Sequence, residues 1–496
     1  MTVKRWEAIA LASILAIALA VRIIGLNSSL WYDEVITLTH YIRQPFGQLV
    51  TEYSSLIGHP FYSLQARAAV AMFGESAWAL RLPSLIFGLA SIYVVWLMGR
   101  QAAGRIPALL AAFLLAIAYH HVWFSQNARG YTGALFWTSI ATLLLLRGLH
   151  RPSWGVWTAY GLCVAAGMYS HLSVVLFYAT HMVVYFVALV FRGSPGRAGA
   201  ASTYPGLHDL RPLYGFALGG ILGTALLLPV IRWRLQGAAN ELPDRVLSMN
   251  EWKNPFRTLQ EIVSSMGDLG VFGPYILIGA LAVIVVGAIA ISRKSPLLVA
   301  IYALHVPLAI GVMLAFSFRI WPRYFLVDIG FIVLCVAAGA YELSNSIGRA
   351  LQPHESQPVA ANAVFVVAVL AISVVSVALL RKNYAYPKQD LAGAVALIEH
   401  QRVAGDVAAS VGLAATSIHS YFAPSWPVVE TPDQLQALLD SASSVWIVTA
   451  FPSLLTQRHG DVIALVNEKF DLVAKLPGTL ADGTVRVYRS RRASPQ

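Results

Sequence analysis

Residues 8–34 read AIALASILAIALAVRIIGLNSSLWYDE, a long apolar run followed closely by two adjacent acidic residues, Asp33 and Glu34. The apolar run, Ala8–Ile24, approaches the roughly 20 residues that an α-helix needs to cross a bilayer. It begins after basic residues and contains no small-residue cleavage site, so we expect a retained anchor rather than a removed signal peptide. Charge this close to a membrane span favours a functional role for Asp33 or Glu34, while acidic residues near a helix entry also commonly cap the helix.

The rest of the chain repeats the apolar pattern. Of its 496 residues, 57% are hydrophobic and only 12% are charged, and the mean hydropathy is +0.64. We predict about eleven membrane-spanning helices from runs of suitable length. The runs lie near Ala8–Ile24, Leu82–Leu97, Ile106–Ala118, Ala134–Leu146, Val156–Ser170, Val174–Val190, Leu213–Ile231, Val271–Ile291, Leu297–Phe316, Phe325–Ala340 and Ala363–Leu380. The sequence therefore predicts an α-helical, polytopic membrane protein.

The charge distribution argues against a nucleic-acid partner. The formal net charge is +11, but the basic residues are scattered between the apolar runs and form no block. Loops at a lipid surface and an anionic ligand explain this charge better. Both cysteines, Cys163 and Cys335, lie inside apolar runs, so the sequence contains neither a disulfide framework nor a metal-binding spacing.

A second domain is predicted after Leu380, where the hydropathy falls. Residues 1–380 form the membrane domain in this division, and residues 381–496 form a small α/β domain. Short strands and helices alternate within it: strands at Val407–Val411, Val428–Glu430, Ser444–Thr449 and Thr484–Tyr488, and helices at Leu391–His400, Asp433–Leu439 and Val462–Phe470. It contains no glycine-rich nucleotide-binding loop, which favours an accessory domain over a second active site.

The connectors suggest an orientation. Residues 100–105, 147–151, 192–211 and 292–294 are short, basic and poor in acids, as is typical of cytoplasmic loops. Asp33, the first outer loop (residues 27–81) and the C-terminal domain would then face outward.

Polar clusters recur at the ends of several predicted spans on this outward face. They include His59-Pro60, ALRLPS at 79–84 with Arg81, HHVWFSQNARGY at 120–131 with Arg129, and FRIWPRY at 318–324 with Arg323. Their aromatic residues also suit a plain membrane-interface belt. Arginines that converge from different loops suit a phosphate group, because guanidinium binds its oxygens bidentately.

The order of these clusters resembles a known superfamily. WYDE at 31–34, His59-Pro60, ALRLPS at 79–84, WFSQNARGY at 123–131 and WPRYF at 321–325 are similar to motifs of the bacterial GT-C glycosyltransferases. The similar branch is the one related to protein O-mannosyltransferases and aminoarabinose transferases. PKQD at 387–390 is similar as well. One departure is visible, since Phe61 follows Pro60 where relatives commonly have a second proline.

The resemblance implies a hexosyl- or pentosyltransferase at the outer, periplasmic face of the bacterial cytoplasmic (inner) membrane. It would move a sugar from a polyprenyl-phosphate donor to a lipid, glycan or protein acceptor, with inversion at the anomeric carbon. Asp33 would be the base and Glu34 its neighbour. Donor phosphate would be held by Arg81, Arg129, Arg323 and His59. The substrate-groove candidates are Trp31, Tyr32, His121, Gln126 and Tyr131. No cofactor or metal is predicted, with a divalent cation as the alternative.

Two other functions compete with sugar transfer. A transporter or lipid flippase would have similar hydropathy, but such proteins place polar residues near the middle of spans or show internal repeats. A membrane-tethered assembly protein would leave the polar clusters without a role. The position of these clusters at span ends on one face favours interfacial catalysis.

Overall fold

The computed structural model describes residues 4–51, 59–191, 204–237, 253–264, 273–353, 359–480 and 483–491. Helices dominate up to residue 385. In chain order they are α1 (Arg5–Ile23), α2 (Tyr32–Thr37), α3 (Phe46–Thr51), α4 (Pro60–Phe73), α5 (Ala77–Ala102), α6 (Arg105–Ile117), α7 (Tyr119–Ser125), α8 (Tyr131–His150), α9 (Trp154–Ser170), α10 (Val174–Val190), α11 (Arg211–Gly237), α12 (Pro255–Ser264), α13 (Gly273–Ser292), α14 (Pro296–Ala315), α15 (Ile329–Leu351) and α16 (Val359–Ala385).

Each predicted span coincides with one of these helices, although Val271 lies outside the described residues. Within the described ranges, eight helices are long and apolar enough to cross a membrane, or nine if α6 and α7, which meet at 60°, form one broken span. The number is smaller than the predicted eleven because α6, α9 and α10 are short. A helix of 17 residues, such as α10, is about 25 Å long at 1.5 Å per residue, which is less than a typical hydrocarbon core.

Small residues allow the long helices to pack closely. A side chain at Gly287 of α13 would collide with the backbone of Cys335 in α15. A side chain at Gly339 would in turn collide with the backbone of Val283. Close backbone approach through small residues is a common way for helices to associate where water supplies no hydrophobic driving force.

The first outer loop is itself helical. It contains α2, a π-helical turn at Leu38–Ile42, α3 and α4, while residues 52–58 of the loop lie outside the described residues. The second long helix, α5, already begins at Ala77, so Arg81 lies in its second turn rather than before it. Ser76 caps this helix by accepting a hydrogen bond from the Ala79 N–H.

The C-terminal domain follows α16, which runs to Ala385 and thus five residues past the predicted boundary. Its elements are α17 (Leu391–Gln401), β1 (Asp406–Val411), α18 (Leu413–Ser417), β2 (Val428–Val429), α19 (Pro432–Ser441), β3 (Ser444–Thr449), α20 (Pro452–Arg458), α21 (Gly460–Lys469), β4 (Phe470–Leu476) and β5 (Val485–Ser490). The sheet order is β2-β1-β3-β5-β4. Strands β2, β1 and β3 are parallel, and β5 and β4 are antiparallel to their neighbours.

The sequence did not predict β4. This edge strand alternates poorly, because most of its side chains are exposed, and the sequence pattern extends the preceding helix to the first residue of the strand, Phe470. Helix α19 begins one residue before the predicted Asp433, because Thr431 and Gln434 form a capping box there.

The C-terminal domain rests on the first outer loop. Tyr421 and Phe422 pack against an apolar cluster of that loop. Phe451, whose φ of 55° is left-handed, contacts the Tyr32 ring at 5.6 Å, and the Gln389 side chain accepts a hydrogen bond from the Tyr32 N–H at 3.2 Å. The residue immediately before Asp33 is therefore held by the C-terminal domain.

Candidate active site

Helix α2 presents Asp33 and Glu34 to different surroundings. Neighbouring side chains on a helix diverge by about 100°. Glu34 is completely buried, whereas the Asp33 side chain keeps 13% of its surface exposed. The two adjacent carboxylates therefore serve different partners.

Glu34 forms a bidentate ion pair with Arg81. The Arg81 Nε donates to Glu34 Oε1 at 2.8 Å, and Nη2 donates to Oε2 at 2.5 Å. The Ala128 N–H also donates to Oε1, at 2.7 Å. This carboxylate thus joins α2, α5 and the turn before α8.

The remaining donors of Arg81 bind the backbone that links α1 to α2. Nη1 donates to the carbonyl oxygens of Leu26 and Ser28, and Nη2 donates to that of Ser29. All three nitrogens are therefore used, and the side chain is fully buried. The geometry places Arg81, a predicted phosphate ligand, in a structural contact with Glu34 instead.

The Glu34 carboxylate is held in its charged form. Burial raises its pKa, but the Arg81 guanidinium and the hydrogen bonds outweigh burial, so the pKa lies below its ordinary value. Nearby, burial and the Arg81 charge lower the pKa of Lys388 to about 7, against a smaller opposing effect of Glu34. The Lys388 Nζ donates to the Gln126 carbonyl at 2.6 Å and lies over the Trp123 ring.

Asp33 lies between two arginines from distant parts of the chain. Its Oδ2 is 3.8 Å from an Nη2 of Arg129 and 3.9 Å from an Nη1 of Arg323. Both separations exceed the 2.7–2.9 Å of a direct charge-assisted hydrogen bond. Arg129 is buried and donates weakly to Thr37, while Arg323 is partly exposed and stacks over Trp321.

The two arginines retain capacity for an anion. Neither the Nε of Arg129 nor that of Arg323 has a hydrogen-bond partner within the described residues, although both atoms are buried. A buried donor without a partner is costly and commonly marks a place where a ligand or water binds. The structure brings Asp33, Arg129 and Arg323 together, and their roles in one active site stay a prediction.

An aromatic cluster adjoins the arginines. His59 contacts the rings of Tyr131 and His171 at 5.2 and 4.9 Å, and His171 also contacts Tyr131 and Tyr324 at 5.1 and 5.5 Å. His59 and Tyr131 were predicted from the sequence. His171 and Tyr324 were not, because His171 stands in a short connector without a recognisable motif, although Tyr324 directly follows Arg323 in WPRYF.

The remaining groove candidates make structural contacts. Trp31 donates through its indole to Asn127 at 3.2 Å. Gln126 donates to the carbonyls of Arg22 and Ile24 at the end of α1. His121 is buried between Arg22 and Ser91, at 2.6 and 3.0 Å. Of the groove candidates, Tyr131 contacts the rings of His59 and His171, which adjoin the arginines. Tyr32 directly precedes Asp33 in the chain.

The described residues contain no group of three or more His, Cys, Asp or Glu side chains placed to hold a metal ion. Asp33 has two cationic neighbours rather than further carboxylates, and this environment disfavours a divalent cation at that oxygen. Metal independence remains a prediction.

One family model matches the chain. It is described as dolichyl-phosphate-mannose-protein mannosyltransferase, and it matches residues 59–196. This segment includes the turn that carries Arg129 and the connector that carries His171. None of the curated proteins matches the sequence.

Several solved structures share the fold over nearly the whole chain. ArnT from Cupriavidus metallidurans in the apo state is 16% identical, with a TM-score of 0.54 and 99% of each chain covered. The same protein bound to undecaprenyl phosphate is 15% identical, with a TM-score of 0.50 and 99% of each chain covered. The oligosaccharyltransferase AglB from Archaeoglobus fulgidus, with an inhibitory peptide and a dolichol-phosphate, is 12% identical, has a TM-score of 0.54, and covers 99% of this chain and 74% of its own. The chain therefore shares the GT-C fold of ArnT and AglB, and the predicted resemblance to mannosyltransferases and aminoarabinose transferases is confirmed.

Proposed function

We propose that this protein transfers a sugar from a polyprenyl-phosphate donor to a hydroxyl or amino group of a cell-envelope acceptor. The reaction takes place at the outer face of the bacterial cytoplasmic membrane. The observation that carries this proposal is the partly exposed Asp33 carboxylate between Arg129 and Arg323. The undecaprenyl phosphate of ArnT and the dolichol-phosphate of AglB support a lipid-linked donor, because both proteins share this fold.

Each residue has a role in a single displacement. Asp33 takes the proton of the acceptor as the acceptor atom attacks the anomeric carbon. The bond from that carbon to the phosphate oxygen breaks, and polyprenyl phosphate leaves. Arg129 and Arg323 bind the charge that develops on the phosphate oxygens. Because only one displacement occurs, the anomeric configuration inverts.

The fold suits a donor that stays in the bilayer. Asp33 lies shortly after α1 ends at Ile23, and Arg323 lies in the 3₁₀ turn Pro322–Asp328 that leads into α15. Both positions are at ends of apolar helices, where the phosphate of a membrane lipid would lie. The C-terminal domain, which contacts Tyr32 through Phe451, would cover the site and limit hydrolysis of the donor.

Reconstitution tests this function directly. The purified protein in liposomes would receive a panel of polyprenyl-phosphate sugars and an envelope extract, and transfer would be followed with a radiolabelled sugar. We expect transfer by the native protein and its loss in Asp33→Asn, while Asp433→Asn, an exposed residue of α19, serves as the matched control. Full transfer by a folded Asp33→Asn variant would remove Asp33 from the mechanism, and movement of lipid without transfer would favour the flippase.

A further inference from the structure

The two histidines beside Arg129, His59 and His171, form different hydrogen bonds through Nδ1. In His59 this nitrogen lies 3.2 Å from the Ser170 carbonyl oxygen. A carbonyl can only accept, so His59 Nδ1 carries the hydrogen. In the neutral ring, Nε2 of His59 is then a lone-pair acceptor.

His171 has the opposite arrangement. Its Nδ1 accepts a hydrogen bond from the Ser173 backbone N–H at 3.2 Å and also pairs with the Ser173 hydroxyl at 2.8 Å. A backbone N–H can only donate, so His171 Nδ1 is the acceptor and the hydrogen of the neutral ring is on Nε2. No hydrogen bond to this Nε2 is found within the described residues.

The surroundings keep both rings neutral. Burial and the charge of Arg129 hold the pKa of His59 well below its ordinary value. Burial, together with Arg129 and Arg323, lowers the pKa of His171 to about 3. Neither histidine therefore presents two N–H donors at neutral pH.

A phosphate group distinguishes between these two rings. Its oxygens accept hydrogen bonds, so they attract the Nε2–H of His171 and are repelled by the lone pair of His59. The His171 ring contacts Tyr324, the residue directly after Arg323, and Tyr131, two residues after Arg129, so it lies beside the proposed anion site. The ring is fixed by Ser173 on one edge and by His59, Tyr131 and Tyr324 around it.

We propose that His171 donates its Nε2–H to the phosphate of the donor lipid, as a third ligand beside Arg129 and Arg323. This inference rests on the proposed function. It also reassigns to His171 the phosphate contact that was predicted for His59.

Binding of undecaprenyl phosphate to the full-length protein in nanodiscs tests this ligand, with undecaprenol as the probe that lacks the phosphate. His171→Phe keeps the aromatic packing and removes the donor, and we expect it to weaken phosphate binding about ten-fold or more, as for a hydrogen bond to a charged group. His171→Gln places an amide N–H near the former Nε2 and should recover most of the affinity. Undecaprenol should bind all variants alike.

His59→Phe and His400→Gln complete the set. His400 is exposed on α17, far along the chain from the site, and its variant should bind as the native protein does. His171→Phe with native affinity for undecaprenyl phosphate would refute the inference and leave the proposed function standing. A larger loss in His59→Phe than in His171→Phe would also refute it. If the native protein binds undecaprenyl phosphate no more tightly than undecaprenol, both the proposed function and this inference fail.

Discussion

Replacing Glu34 with glutamine should destabilise the protein much more than it impairs chemistry. The substitution removes the carboxylate that pairs with Arg81, whose side chain has no exposed surface. Glutamine also offers one acceptor oxygen where the carboxylate accepts from Arg81 and from the Ala128 N–H through two. A buried guanidinium would then lie opposite an amide.

The structure sets the size of the effect. Removing one partner of a buried ion pair typically lowers the free energy of unfolding by about 3–5 kcal/mol. Arg81 keeps its bonds to the carbonyls of Leu26, Ser28 and Ser29, so we expect the lower end, about 3 kcal/mol, or roughly 150-fold in the ratio of folded to unfolded protein. Asp33→Asn should cost much less than Glu34→Gln, about 1 kcal/mol or less, because its contacts to the arginines are 3.8 and 3.9 Å long.

The assay compares two properties of the same preparations. Thermal unfolding in detergent, followed by tryptophan fluorescence and size exclusion, measures stability, while sugar transfer per folded molecule measures chemistry. Glu34→Gln should unfold at a clearly lower temperature and retain turnover within about ten-fold. Asp33→Asn should unfold like the native protein and lose about 10²- to 10⁴-fold in turnover, the usual contribution of a general base.

The pH dependence has a defined sign. Because the folded-state pKa of Glu34 lies below its ordinary value of 4.5, the stabilisation is present above pH 4.5 and is lost as the pH falls through the folded-state pKa. Acid should therefore erase the difference between native protein and Glu34→Gln. A Glu34→Gln variant with native stability and the activity loss of Asp33→Asn would refute this reasoning and place Glu34 in the chemistry.

Three further predictions concern the surroundings of the site. Arg129→Gln should lower kcat/KM for the lipid donor by about 10- to 100-fold. Arg323→Lys should lower it by a smaller factor, since lysine keeps the charge but loses the planar fork. Steady-state kinetics with varied donor measure both effects, and a change in the acceptor KM alone would contradict the prediction. Lys388→Met should be more stable than the native protein below pH 7 and lose part of that advantage between pH 7 and 9, because the folded-state pKa of Lys388, about 7, lies below its ordinary value of 10.5; the relative change over these two pH units is about 2 kcal/mol, and pH-resolved thermal unfolding would refute it if the difference were constant. Sugar transfer should survive treatment with EDTA, since Asp33 has cationic neighbours; loss of activity that Mg²⁺ or Mn²⁺ restores would overturn this expectation.

The proximity of Asp33, Arg129 and Arg323 could be predicted from the sequence for a physical reason. Each lies at the end of an apolar run on the same predicted face, and membrane spans bring such ends together regardless of their separation along the chain. The same reasoning could not separate Arg81 from the other arginines. The sequence pattern of an arginine at a helix end is the same whether the arginine binds a ligand or a buried carboxylate. The partner of Arg81, Glu34, is 47 positions away in the chain.

His171 escaped prediction for a different reason. Its role depends on the hydrogen that its Nδ1 lacks, and this depends on a backbone N–H two residues later. No sequence pattern encodes that tautomer. For His121 and Gln126 the polarity of the side chains suggested a substrate groove. In the structure His121 contacts Arg22, and Gln126 donates to a carbonyl at the end of α1. Buried polar groups look the same in sequence whether they bind a substrate or fix a helix.

Asp33 and Glu34, neighbours on α2 with diverging side chains, connect the buried ion pair with Arg81 to the proposed catalytic site. Glu34 accepts a hydrogen bond from the Ala128 N–H. Asp33 precedes Glu34 and Arg129 follows Ala128, and the side chains of Asp33 and Arg129 lie 3.8 Å apart. The buried contact thus fixes the register of α2 against the turn before α8, and that register sets the distance between the proposed base and its arginine. A general base contributes only when it lies within reach of the proton that it takes, and small displacements are costly. Glu34 can therefore influence turnover without touching substrate, through the position of Asp33, and in Glu34→Gln the remaining loss of activity should appear together with a changed Asp33–Arg129 separation.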